Sequence, residues 1–361
     1  MLTRILADNF RSLVNFEFRP EKLCLLLGDN GSGKSTLIDV VARISDLVAL
    51  GISAADHFRG TQTRWDSREI QRFELDVTGN GGTYRYALEI KHQLDGTRPP
   101  TIRSEEVTFE GERLFRFADG EVHLARDGGK AGADFPFQSN QSFLANLDSR
   151  GSRLGWFKGF MERVRIIQPN PFAMNPTSKG DLRFLGHYCQ HLAAFFDYLS
   201  DERPDARAEL ESRLREVLPG FRNMLLRRTG EEKLLLGVFE DGRGQTREFG
   251  LLDLSEGQRV LIALYAATYG LLDADALVCF DEPDNFVSLA EVQPWLQTLR
   301  DTLDQRGGQA MVVSHHPEVI DYLALDSAWR FERPAGPVVA RPLDMGASPG
   351  LKPSEIIVRG G

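Results

Sequence analysis

The sequence predicts an α/β protein whose parallel strands converge on a phosphate-binding site. Three observations carry this reading. An apolar run, LCLLL at 23–27, leads into a glycine-rich loop ending in Lys34-Ser35; a second, ALVCF at 276–280, closes on Asp281-Glu282; a third, AMVV at 310–313, closes on Ser314-His315-His316. Short continuous apolar runs suit strands covered on both faces, and in parallel sheets chemistry gathers beyond the carboxyl ends of the strands. The expected architecture is a mixed, largely parallel sheet with an antiparallel β-rich subdomain and a short helical subdomain.

Each element follows in order. Residues 1–60 read as two short strands, then strand, loop and a helix over 35–50. From 64 to 137 the pattern turns to alternation with turn glycines, as in YRYALEI (84–90) and RSEEVTFEGERLFRF (103–117). That predicts antiparallel strands forming an insertion within one domain, and ARDGGKAGAD (125–134) reads as an exposed loop. VRII (164–167) is a further strand, ended by Gln168-Pro169-Asn170-Pro171. Leu182, Leu185, Cys189, Leu192, Phe196 and Leu199 recur at steps of three and four and predict a helix. A second helix spans 206–218, stopped by Pro219-Gly220. Strands at 223–227 and 233–239 and a helix opening at Ser255 lead into the second apolar strand. The chain thus divides into a lobe at 1–180, with the phosphate loop and the β insertion, and a lobe at 181–361, with a helical insertion at 181–218.

Composition narrows the class. The 361 residues are 42% hydrophobic and 26% charged, the profile of a globular chain and not of a collagen-like, disordered or disulfide-built one. Cys24, Cys189 and Cys279 lie far apart and read as small buried hydrophobes in a reducing compartment. The N-terminus lacks the apolar stretch of a secretory signal, and the longest apolar run, 260–272, is short of the roughly 20 residues that span a bilayer. A cytoplasmic location without membrane insertion is expected. The net charge of −9 gives no support to nucleic acid as the main ligand. Arg150, Arg153, Lys158, Arg163 and Arg165 crowd one stretch and read as a solvated basic face.

The loop Gly28-Asp29-Asn30-Gly31-Ser32-Gly33-Lys34-Ser35 fits G-x-x-x-x-G-K-[ST] between a strand and a helix. Glycines let backbone N–H groups curl around phosphate oxygens, and the helix start adds positive potential. Asn30, Gly31, Ser32, Gly33 and Thr36 are therefore candidate ATP contacts. Lys34 is placed to reach the β- and γ-phosphates and Ser35 to ligate Mg²⁺. Asp281 sits where such sites hold a second Mg²⁺ ligand, and Glu282 beside it suits the base that polarises the attacking water. His315, at the tip of the neighbouring strand, is placed to sense the γ-phosphate. Ser255 and Gln258 form a capping box, S-x-x-Q; with the Gly257 amide and the helix start they also make an anion site.

The order of phosphate loop, LSEGQR, CFDEPD and SHHPE resembles the ATP-binding-cassette (ABC) superfamily, within it the branch containing RecF, SMC and OLD-like ATPases. Asn9-Phe10-Arg11-Ser12-Leu13 is similar to the segment before the phosphate loop in that branch, where the arginine, here Arg11, approaches nucleotide phosphate. The resemblance implies an ATP-dependent dimer in which Ser255 and Gly257 of one chain touch the γ-phosphate held by Lys34 of the other. It also implies a glutamine bridging Mg²⁺ and water, for which Gln168 is the candidate, with Gln138 and Gln141 in the same interval. Glu256 departs from a glycine of LSGGQ, and 284–288 (DNFVS) departs from the transporter-type loop. Lys34 and Ser255 are 221 residues apart, yet the helices between are too short for coiled-coil arms, and the 46 residues after His315 are too few for an OLD-type nuclease. The resemblance then implies an armless ATPase switch that controls a separate effector, a nuclease or toxin, in bacterial antiphage defence. A RecF-like ATPase acting on DNA is the alternative, and a transporter subunit a third reading.

Overall fold

The computed structural model describes residues 1–93, 96–125, 132–148, 151–324, 327–333, 335–343 and 352–358. The chain opens with β1 (Leu2–Asp8), β2 (Phe16–Phe18), β3 (Leu23–Leu27), α1 (Lys34–Ala49) and α2 (Ala54–Phe58). Six strands follow: β4 (Ile70–Gly79), β5 (Gly82–Lys91), β6 (Thr101–Phe109), β7 (Glu112–Ala118), β8 (Glu121–Leu124) and β9 (Ala133–Pro136). The middle holds α3 (Arg153–Met161), β10 (Val164–Ile167), β11 (Thr177–Ser178), α4 (Leu192–Glu202), α5 (Pro204–Val217), β12 (Phe221–Thr229), β13 (Glu232–Glu240) and β14 (Thr246–Gly250). Then come α6 (Glu256–Leu271), β15 (Leu277–Asp281), α7 (Leu289–Arg306), β16 (Gln309–Val313), α8 (Pro317–Leu323), β17 (Ala328–Glu332), β18 (Val339–Pro342) and α9 (Pro353–Val358).

Three sheets result. A six-stranded sheet runs β10-β15-β16-β3-β17-β18, with every pair parallel except β17–β18. Its strands feed two cores alternately. Cys24, Leu26, Leu277, Cys279, Met311 and Val313 face one core, shared with α1, α3 and the eight-stranded sheet. Leu25, Leu27, Val278, Phe280, Ala310 and Val312 face the other, under α4, α5, α6 and α7. That is why these strands read as unbroken apolar runs. The eight-stranded sheet, β2-β1-β4-β5-β6-β7-β8-β9, is antiparallel throughout. The β-rich block at 64–137 thus extends a sheet begun by the first two strands. In the third sheet β13 pairs with β11, β12 and β14.

Three expectations differ from the structure. The helix expected from Leu182 begins only at Leu192. Gly186 and Cys189 adopt φ of +76° and +59°, which no helix tolerates, while Leu185 and Cys189 are still fully buried; burial alone produced the helical spacing. Residues 126–131 of the expected loop lie outside the described residues, and Ala133 and Asp134 belong to β9. The basic stretch is not one solvated face. Lys158 is buried and donates to the carbonyls of Ala145 and Leu147, Arg165 donates to those of Glu162 and Val164, and Arg153 lies over the Phe109 ring. Arg163 pairs with Asp275, and Arg150 lies outside the described residues. The three cysteines are free and buried, and burial raises the Cys24 and Cys189 thiols to about 12. No described helix is long and apolar enough to cross a membrane.

Candidate functional site

The loop between β3 and α1 owes its shape to two glycines. Gly28 (φ +140°) and Gly33 (φ +106°) occupy conformations that side chains resist. A Cβ on Gly28 would stand 2.2 Å from the Phe331 carbonyl oxygen, and one on Gly33 would stand 2.5 Å from Val338 Cγ2. β17 therefore presses against the start of the loop and the chain after it against the end. Gly33 is the N-cap of α1 and gives no side-chain cap, so the first amides of α1 keep their hydrogen-bonding capacity. Lys34, 6% exposed, folds back under the loop and donates to the carbonyls of Gly28 (2.6 Å) and Asp29 (3.1 Å). Burial lowers its pKa, against the opposing pull of Glu282, Asp281 and Asp29. Ser32 Oγ is buried without a hydrogen-bond partner.

A cavity of about 600 Å³ opens over this loop, lined by Arg11, Asn30, Gly31, Ser32, Gly33, Lys34, Ser35, Thr36 and Glu282. These residues come from the β1–β2 connection, from the loop with the start of α1, and from the end of β15. Arg11, itself at φ +48°, also pairs with Asp39 Oδ2 at 2.9 Å, the same oxygen that Arg43 holds at 2.8 Å.

The carboxylates follow from register. β15 pairs with β16 so that Asp281 lies opposite Val313, and the Glu282 amide donates to the Val313 carbonyl at 2.9 Å. Glu282 holds φ +50°, a strained conformation for a residue with a side chain, and such strain concentrates at functional positions. Burial raises the pKa of both acids; the Ser35 hydroxyl opposes this at Asp281, and His315 at Glu282. His315 Nδ1 lies 2.8 Å from Glu282 Oε2. The neighbouring His316 caps α8, its Nδ1 accepting from the Glu318 amide, which leaves His315 as the histidine facing the acid.

A second cavity adjoins the first and is lined by Ser35, Asp281 and Gln168, with Asp39 and His187; Gln138 and Gln141 do not line it. Asp281 Oδ1 is buried there without a hydrogen-bond partner. A serine hydroxyl, an orphaned carboxylate oxygen and an amide oxygen suit a hard divalent cation completed by phosphate oxygens. Among the described residues no group of three or more His, Cys, Asp or Glu could hold a metal unaided. Ser255, Gly257 and Gln258 line neither cavity. They form the expected capping box: Ser255 Oγ accepts from the Gln258 amide, and Gln258 Oε1 accepts from the Ser255 amide. Gly257 packs under the Phe286 carbonyl, where a Cβ would come within 2.8 Å.

The family described as "AAA domain, putative AbiEii toxin, Type IV TA system" matches residues 23–321. The chain belongs to this family. The fold of this AAA-type ATPase is similar to solved SMC heads over nearly the whole chain. An SMC head bound to the C-terminal winged-helix domain of ScpA superposes with a TM-score of 0.59 at 13% identity, covering 96% of this chain and 98% of that one. A head with an extended coiled coil, bound to the C-terminal domain of ScpA from Pyrococcus furiosus, gives 0.57 at 11% identity, covering 99% and 98%. At such identities the likeness is one of fold, that of an SMC-type ATPase head. Two curated relatives match in part. Protein ea59 of Escherichia phage lambda is 29% identical over 83 residues, 23% of this chain and 16% of that protein. ABC transporter G family member 11 of Dictyostelium discoideum is 31% identical over 106 residues, 28% of this chain and 7% of that protein. The chain thus matches less than a fifth of either relative.

Sequence reasoning missed several residues of this AAA-type site. Arg64, Trp65 and Arg333 line the cavity over the phosphate loop, and His187 places Nε2 3.3 Å from Gln168 Oε1. None carries a spacing signal, because folding alone brings them to the loop.

Proposed function

We propose that this chain binds and hydrolyses ATP with Mg²⁺ and works as a dimeric switch on a separate effector. The observation that carries the catalytic part is the meeting of Lys34, Ser35 and Glu282 around one cavity, with His315 on the Glu282 carboxylate. In this reading Lys34 and the amides at 30–36 neutralise and orient the phosphates, joined by Arg11. Ser35, Asp281 and Gln168 would hold the cation, which when bound screens phosphate charge. Glu282 accepts the proton of the attacking water, and its burial raises its basicity toward that task. His315 orients Glu282 and registers the γ-phosphate.

Ser255, Gly257 and Gln258 lie away from their own chain's cavities, which supports their use on the nucleotide of a second copy. The family's description, with its reference to a toxin system, supports a role in antiphage defence; the separate effector, a nuclease or toxin, and the cytoplasmic location rest on the resemblance to armless ATPases of this branch. The dispersal of the basic stretch supports this reading over direct action on DNA. The test is paired. Glu282→Gln should bind ATP with near-native affinity and release phosphate far more slowly, whereas Lys34→Ala should lose both activities. Native turnover in either variant would overturn the site assignment.

A further inference from the structure

We infer that Trp65 and Arg333 form the base subsite of the nucleotide pocket, with a purine ring stacked on the Trp65 indole. This rests on the ATP-binding reading above and adds the surface that takes the base.

Trp65 is 49% exposed, whereas the other three tryptophans are buried or half-buried. An indole left half in solvent offers an apolar, polarizable face to a ligand. The Arg333 guanidinium lies 5.2 Å from its ring centroid. That lays a planar, positively charged group over one side of the indole and leaves the exposed part of the ring to a ligand. Both residues line the 600 Å³ cavity over the phosphate loop and an adjoining one of about 730 Å³, which also share Asn30, Gly31 and Ser32. The pair therefore stands where the phosphate cradle opens outward, the place a nucleotide's base must occupy once its phosphates are seated.

Neither partner needs to be assembled on binding. The segment bearing Trp65 is fixed to the Arg11 loop by buried amides. Asn9 Nδ2 donates to the carbonyls of Arg68 and Ile70, and its Oδ1 accepts from the Thr63 amide. Gln71 Nε2 donates to the Asn9 carbonyl, and the Arg11 amide donates to that of Thr61. Arg333 follows β17, which is paired with β3 and touches Gly28, and its Nε donates to the Gly336 carbonyl at 3.2 Å. Surfaces already ordered before binding give up little entropy when the base arrives.

The experiment titrates the full chain with ATP and with inorganic tripolyphosphate, both with Mg²⁺, in the wild type, Trp65→Leu and Trp65→Phe. The wild type should bind ATP more tightly than tripolyphosphate. Trp65→Leu should weaken ATP binding about tenfold, the scale of one base–aromatic stack, and leave tripolyphosphate binding unchanged. Trp65→Phe should recover most of the loss. ATP should also quench the tryptophan fluorescence of the wild type more than that of Trp65→Phe, and tripolyphosphate should quench neither. A wild type that binds both ligands equally, without ATP-specific quenching, would overturn the base subsite and leave the phosphate-loop reading standing. Equal losses for both ligands in Trp65→Leu, with no ATP-specific quenching in the wild type, would do the same. A wild type that binds neither ligand would remove this inference together with the ATP-binding reading beneath it.

Discussion

The two helix starts that carry phosphate-binding motifs, those of α1 and α6, begin in opposite ways. α1 starts at Gly33 with no side-chain cap and no acid in its first turn. α6 starts at Ser255 with a reciprocal cap from Gln258 and with Glu256 in its first turn. An uncapped start surrounded by buried lysine and serine is a standing anion site. A start that caps itself and already carries an acid is stable alone. On the proposed mechanism α6 therefore adds its serine hydroxyl and glycine amide to a phosphate already held elsewhere.

Breaking the α1 side should have the largest effect. Lys34→Ala should lower phosphate release by at least about a hundredfold, because the charge is removed where negative charge concentrates. Measured turnover near wild type would mean that α1 is not the phosphate-holding start. The next effect sharpens the role of α6. Glu282→Gln should slow turnover by roughly a hundredfold or more while ATP stays bound, and light scattering should show twice the mass only with ATP-Mg²⁺. Adding Ser255→Arg should abolish that association, since a bulky cation would occupy the γ-phosphate contact. Mass independent of ATP in both variants would make Ser255 a helix cap and nothing more.

Smaller effects separate the two starts by stability. Gly33→Ala forces a side chain into φ +106° against Val338 and should cost roughly 2 kcal/mol, read as a lower melting temperature. Ser255→Ala, which removes one half of the capping box, should cost about 1 kcal/mol. Equal melting of Gly33→Ala and wild type would show that Val338 does not brace the loop.

What the sequence disclosed follows the same division. The phosphate loop was legible because its chemistry lies in eight consecutive residues between a strand and a helix. The carboxylate and histidine strands were legible because burial on both faces leaves an unbroken apolar run that ends where polar chemistry starts. The segment at 182–191 misled because a buried irregular chain can place apolar residues three and four apart, as Leu182, Leu185 and Cys189 do. Trp65 and Arg333 were invisible for another reason. They are 268 positions apart and meet only because the β1–β4 pairing brings one to the loop and the β3–β17 pairing brings the other.

The pairing of β17 with β3 limits where the chain can be cut. The family's match ends at residue 321, which invites truncation there. Such a piece would lose the parallel neighbour of β3, leaving the strand that feeds the phosphate loop as a bare sheet edge. An exposed, wholly apolar edge is a template for pairing between molecules. The shortened protein should therefore aggregate, although the residues proposed for catalysis are all present in its sequence.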